Sequence, residues 1–316
     1  MKKFNGYSKG VNLGGWLSQC CHTTEHYDSF IGRDDIEKIA SWGLDHVRLP
    51  IDYNLVEDAE GNTVEKGYEY IDNAIKWCGE FGLNLVLDLH KTAGFSFDKG
   101  ENENGFFEND TLRERFYSLW EKLAERYGKY SDRVAFELLN EVTDKSYITV
   151  WNEAIYGCIE KIRAIAPDTT IVVGSYWNNS PDALPDLVKP YDDNVILSFH
   201  CYDPLIFTHQ GADWVDNLDV SAPKSFNEKE INPEYFEGRF SAALKTAEKY
   251  DAALYCGEYG VIDRVSPQDA LKWYKAINEV FERFGISHSA WNYKQKDFGL
   301  SDKWIEPVIG ELVKYL

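Results

Sequence analysis

The sequence predicts an α/β fold, a (β/α)8 barrel formed by one domain over residues 1–316. Three observations lead there. Short apolar or β-branched runs alternate with longer amphipathic segments, the runs number eight, and several of them end on polar or aromatic side chains. The length agrees, because α/β barrels of 316 residues can still be built around one core.

Taken in order, the predicted strands are "KGVNLG" (9–14), "DHVRLP" (45–50), "LNLVLDLH" (83–90) and "RVAFELLN" (133–140). They continue with "TIVVGS" (170–175), "NVILSFH" (194–200), "AALYCGE" (252–258) and "ISHSAWNY" (286–293). Between them lie helical patterns such as "RDDIEKIASW", "YEYIDNAIKWCGEF", "LRERFYSLWEKLAERY", "PEYFEGRFSAALKTAEKY" and "PQDALKWYKAINEVFERF", the last with Pro267 in its first turn. Two connections are too long for simple turns, 91–110 after the third strand and 201–233 after the sixth. Both follow the C-terminal end of a strand, where barrel active sites are built.

Charge and composition exclude some partners. With 53 acidic against 33 basic residues the formal net charge is −20, which repels phosphate backbones and anionic lipid, so neither nucleic acid nor membrane is an expected partner. No apolar stretch approaches the roughly 18 residues of a membrane span. The 10 Trp and 20 Tyr exceed what core filling needs, and flat amphipathic rings suit the faces of neutral ligands such as sugars. The start, "MKKFNGYSKGVNLGGWL", has no apolar h-region, so the chain as written is expected in the cytoplasm, or outside the cell if a leader was trimmed. Six cysteines without a C-x-x-C pair read as reduced, mostly buried thiols.

The strand ends carry the chemistry. Arg48, His90, Asn140 with Glu141, His200 with Tyr202, Glu258 and Trp291 all lie at or just past the end of a predicted strand, and in a closed barrel these ends form one ring. Taken singly, each has a structural explanation: a loop-initiating residue, an internal ion-pair partner or a core ring. Six of eight strands ending at the same level is a coordination that those explanations do not supply. Two carboxylates flanking an oxocarbenium-like transition state are what glycosidic cleavage requires. Donation from Arg48 and Tyr202 would favour ionised Glu258 as a nucleophile, and a neighbouring negative charge would keep Glu141 protonated as the acid.

This ordered set resembles glycoside hydrolase family 5, retaining (β/α)8-barrel enzymes acting on β-linked glucans, mannans and related glycans. The likeness runs over nearly the whole chain, through "GVNLGGWL", "HVRLPIDY", "LVLDLH", "FELLNE", "FHCYDP", "YCGEYG" and "AWNYK", and is nearest to the clostridial-type endo-β-glucanases with endoglucanase and lichenase activities. The resemblance implies Glu141 as acid/base, Glu258 as nucleophile, and Asn140 bonded to the 2-hydroxyl of the sugar in subsite −1. It further implies His90 on another hydroxyl, His200 orienting Glu141, Arg48 and Tyr202 holding Glu258, and Trp291 as the floor. Val142 stands where many members have proline, a difference in loop geometry.

The expected reaction is retaining endo-hydrolysis of β-1,4 or mixed-linkage β-1,3/1,4 glucan by a monomer, with no cofactor and no metal. An exo-β-1,3-glucanase or a β-mannanase on the same machinery stays open, as does a noncatalytic glycan-binding barrel. Trp16, Trp177, Phe207 and Trp214 follow strand ends and are candidate platforms for further glucosyl units, or rings packed under loops. "GYSKG" (6–10) matches a nucleophile elbow, but a strand follows it where a helix is needed. His22 and His26 lack the H-E-x-x-H order of a zinc site and are expected to pack a loop or touch substrate. Glu137 shares a strand face with Glu141, which puts a third carboxylate deep in the barrel and predicts a buried ion pair with Arg48.

Overall fold

The computed structural model describes residues 1–98, 100–215 and 218–316; Lys99, Asp216 and Asn217, within the two long connections, lie outside the described residues. Eight parallel strands close into a barrel in chain order. They are β1 (Lys9–Asn12), β2 (His46–Asp52), β3 (Asn84–Lys91), β4 (Val134–Glu137), β5 (Ile171–Val173), β6 (Val195–Cys201), β7 (Leu254–Tyr259) and β8 (Ser287–Ala290). Closure is made by β8 against β1, where Val11 pairs with Ala290. All eight predicted strands are present. β4 stops earlier than its apolar run suggests, at Glu137, yet Leu138 and Asn140 still donate backbone hydrogen bonds to Val172 and Leu89 at 3.2 and 3.0 Å.

The helices pack outside because each offers one apolar stripe. In Pro267–Phe284 the buried residues Ala270, Trp273, Tyr274, Ile277, Val280 and Phe281 recur at helical spacing. Ser266 caps its start by accepting from the Asp269 amide, and Gly285 ends it at φ 64°, a left-handed position natural for glycine. The five quoted helical patterns are observed, together with a further helix, Ile148–Ile165, whose stripe is Trp151, Ala154, Ile155, Cys158, Ile159 and Ile162. The β5 to β6 connection has no full helix among its described residues, only a left-handed turn and the 3-10 segment Pro181–Asp186. None of the helices is long and apolar enough to cross a membrane, as far as the described residues go.

Strand alternation sorts the interior. On β2, Val47, Leu49 and Ile51 join the layer packed under the helices, while Arg48 bonds across the barrel to side chains of β3, β4 and β7. Phe4 and Tyr7, stacked 4.0 Å apart ahead of β1, close the N-terminal end against Val86, Ala135, Val172, Ile196 and Tyr255. All six cysteines are free thiols, four of them buried.

Candidate active site

The site is organised around Arg48, buried completely near the middle of β2. Its Nε and Nη2 donate to the two oxygens of Glu137 at 2.6 and 3.2 Å, so the predicted buried pair is present. Nη1 reaches Glu258 Oε1 at 2.7 Å and Asn12 Oδ1 at 3.0 Å, while Nη2 also reaches Asn140 Oδ1 at 2.8 Å and Asp88 Oδ2 at 3.0 Å. One guanidinium thus serves three carboxylates, a satisfied network of the kind that makes buried charge tolerable. Asp88 is where the compensation is thinnest. Burial lifts its carboxyl to about 7 against the pull of Arg48, and its Oδ1 has no partner.

Glu141 follows β4 with φ 42°, a left-handed backbone that turns its side chain into the mouth of the barrel. Oε1 lies 2.7 Å from His200 Nδ1 and Oε2 accepts from Asn178 Nδ2 at 2.9 Å. Burial raises its pKa, with Asn178, His90 and Arg48 pulling the other way. Glu258, at the end of β7, accepts from Arg48 and, through Oε2, from the Tyr202 hydroxyl at 2.8 Å. The Tyr202 phenol is driven well above its usual range by burial and by the charge of Glu258. One ligating atom each of Glu141, His200 and Glu258 lie within 4.8 Å of one another. Of the three, Glu258 also accepts from Arg48.

His200 is pushed down to about 4 by burial and is therefore a neutral ring at ordinary pH. Asn179 Nδ2 stands 3.3 Å from its Nε2, which leaves the ring proton on Nδ1 for donation to Glu141. His90 donates through Nδ1 to Asp88 at 2.6 Å, turning Nε2 toward the mouth, and its ring lies parallel to Trp291 at 5.8 Å. Trp291 is joined to Asn292 by a cis peptide bond and lies over Gly14, where a Cβ would come within 2.4 Å of the indole. Asn140 Nδ2 is buried without a partner, although its Oδ1 is held by Arg48.

All eight residues expected at the strand ends converge on this one mouth. The four expected platforms do not behave alike. Trp177 and Trp214 are exposed, at 53% and 49%, and can present a face. Trp16 and Phe207, each 1% exposed, correct the sequence reading, since they have no face left for a sugar. Trp16 stacks on Trp77 and donates to the Tyr27 carbonyl at 2.8 Å, and Phe207 packs on Phe226. His22 and His26 pack the loop after β1, against Tyr27, Asp52 and the Gly15 carbonyl. Asn178, Asn179 and Asn12 were not anticipated. The only sequence signal for the first two is polar side chains just after an apolar strand.

A closed parallel barrel with a buried carboxylate pair at its C-terminal mouth is the arrangement that glycoside hydrolysis uses. The family described as "Cellulase (glycosyl hydrolase family 5)" matches residues 5–297, and the chain belongs to that family. It is 52% identical over 304 residues to Cellodextrinase A of Ruminococcus flavefaciens, covering 96% of this chain and 88% of that one. It is 36% identical over 337 residues to Endoglucanase C of Acetivibrio thermocellus, covering 98% of each. Among solved structures, the cellulose synthase subunit Z of Clostridioides difficile superposes with a TM-score of 0.82 at 27% identity, over 97% of this chain and 99% of that one. A hyperthermophilic endo-β-1,4-glucanase, at 23% identity and a TM-score of 0.85 over 98% and 97% of the two chains, shares the fold.

Proposed function

We propose that the chain is a retaining endo-β-glucanase acting on β-1,4 glucan or mixed-linkage β-1,3/1,4 glucan. Glu258 is the nucleophile and Glu141 the acid/base. The observation that carries this reading is the closeness of Glu141 and Glu258, with a ligating oxygen of each inside the 4.8 Å cluster. That separation suits direct attack, because retaining pairs stand about 5 to 5.5 Å apart and inverting pairs leave room for a water at roughly 6.5 to 9.5 Å.

In the first step Glu258, oriented by Arg48 and Tyr202, attacks the anomeric carbon while Glu141 protonates the departing oxygen. In the second, a water oxygen attacks the anomeric carbon as Glu141 takes its proton, and the bond to Glu258 breaks, freeing the sugar and the carboxylate. Asn140 fits the 2-hydroxyl contact, since its unpartnered amide protons sit beside the pair and a sugar oxygen would satisfy them. His90 and Trp291 form the wall and floor of subsite −1, and Trp177 and Trp214 are platforms beyond it.

Short cellodextrins are a second substrate class, favoured by the 52% identity to a cellodextrinase. The test is product release from barley mixed-linkage glucan, carboxymethylcellulose, cellohexaose, laminarin and mannan, by wild type beside Glu258→Gln. The first-formed anomer is read by NMR. Oligosaccharides of retained configuration from the first two, absent in the variant, are expected. Activity on cellohexaose alone would move the assignment to the cellodextrinase reading, glucose from laminarin alone to the exo-β-1,3 reading, and inverted product would overturn the mechanism.

A further inference from the structure

In the turn after β5, Trp177, Asn178 and Asn179 hold φ values of 53°, 55° and 55° in succession. Three consecutive non-glycine residues in the left-handed region are disfavoured for L side chains and persist only where the surroundings fix them. Here each side chain has its own destination. Trp177 stands out in solvent beside the mouth, Asn178 Nδ2 donates to Glu141 Oε2 at 2.9 Å, and Asn179 meets His200 at 3.3 Å. The backbone joins in, since the Asn178 amide donates to the Val142 carbonyl at 3.1 Å. The turn after β5 is thereby tied to the turn after β4 at Glu141 and at the following Val142.

We propose that Asn178 is a positioning residue for Glu141. Its amide fixes which way the carboxyl faces and steadies the negative charge that develops on Oε2 as the proton leaves for the departing oxygen. The proposal rests on the acid/base reading of Glu141. A right-handed turn would send the side chain of residue 178 elsewhere, so the left-handed run is the means of delivery. Glu141 is held between two neutral donors, Asn178 on Oε2 and His200 on Oε1, and its proton-donating power depends on both.

The charged and titratable groups facing Glu141 are Arg48 from β2, Asp88 and His90 from β3, His200 from β6, Tyr202 just after β6, and Glu258 from β7. Against this fixed background Asn178 favours the ionised form of Glu141. Its removal leaves the acid protonated to higher pH, so the basic limb of the kcat/KM profile moves upward.

Asn178→Gly is the decisive variant, because glycine accepts the left-handed backbone and deletes only the amide. Asn178→Asp keeps the shape, tolerates the same backbone and turns an acceptor toward Glu141. Both are assayed on phenyl and dinitrophenyl β-cellobiosides beside wild type and Glu141→Ala, together with thermal midpoints. For Asn178→Gly we expect an unreduced midpoint, a basic limb at higher pH, and kcat/KM roughly tenfold lower on the phenyl substrate. The dinitrophenyl substrate, whose leaving group needs no proton, should be little affected, and Asn178→Asp should move the limb further the same way. An unmoved limb, or equal losses on both substrates, in a folded Asn178→Gly protein overturns the proposal even if Glu141→Ala shows the leaving-group dependence of an acid. If Glu141→Ala shows no such dependence, or wild type leaves both substrates intact, the functional reading fails and the proposal with it.

Discussion

Arg48 and Glu137 meet through two hydrogen bonds, Nε to Oε2 at 2.6 Å and Nη2 to Oε1 at 3.2 Å, wholly out of water. The pair lies beneath Glu258 and decides where the guanidinium edge that holds its carboxylate can sit. Glu137→Ala removes the doubly bonded partner of a buried charge, and such losses cost about 3 to 5 kcal/mol. We expect that fall in urea unfolding, with reduced kcat because Arg48 is free to tilt. A variant with wild-type stability would mean that Asp88 and Glu258 alone suffice.

Acid sensitivity follows from two buried rings. His200 and His288 are pushed by burial from 6.5 down to about 4. An unfolded chain takes up these protons below about 6.5, and the folded chain only near 4. The stability that the neutral rings confer is complete above pH 6.5 and is lost as pH falls through 4. Asp88 acts in the opposite sense, since its carboxyl at about 7 contributes fully below about 4 and loses that contribution as pH rises through 7. His288 stacks on Phe281 far from the mouth, so His288→Gln is expected to flatten the acid limb of unfolding free energy against pH, by roughly 1 to 3 kcal/mol at pH 4. An acid limb as steep as that of wild type would contradict this.

The two kinds of tryptophan should separate cleanly. Trp177→Ala and Trp214→Ala are expected to raise KM for long glucans by about three- to tenfold, the worth of one aromatic contact, with unfolding little changed. Trp16→Ala should do the reverse, lowering stability by about 3 to 5 kcal/mol through the cavity left against Trp77. Matched KM series on cellodextrins of increasing length, with thermal melts, would show whether the assignment is inverted.

Gly14 is the third sensitive position. A Cβ there would lie 2.4 Å from the Trp291 ring, so Gly14→Ala must displace the indole. Overpacking of this kind costs about 1 to 3 kcal/mol. The larger expected effect is on kcat/KM, measured on the same cellodextrins. Unchanged kinetics would mean that the indole can shift without loss.

Much of this arrangement is legible in the sequence, for a physical reason. In a parallel barrel each apolar run must stop at the rim, so polar residues such as Asn140, Glu141 and Glu258 that interrupt a run mark one level in space. Alternation likewise put Glu137 on the Arg48 side, and its ion pair is there. What could not be read is the direction of side chains on irregular backbone. Trp16 and Trp177 both follow strands, yet one turns under a loop and the other, on a left-handed backbone at φ 53° and ψ 48°, into water, which no hydropathy pattern encodes. Asn178 and Asn179 were missed for the same reason. The stretch "YWNN" reads as ordinary loop until its left-handed turn is seen.

Phe4 and Tyr7 pack over the far end of the barrel, so among the described residues the C-terminal mouth is the doorway to the interior. Under the two-step reaction the departing chain and the incoming water must use that doorway on the same flank of the bound sugar, beside Glu141. Under that reaction the doorway would act as a turnstile, admitting water only after the first product had left. A glycosyl-enzyme would then persist until the departing strand cleared the mouth, and a second sugar hydroxyl waiting there would compete with water for the same opening.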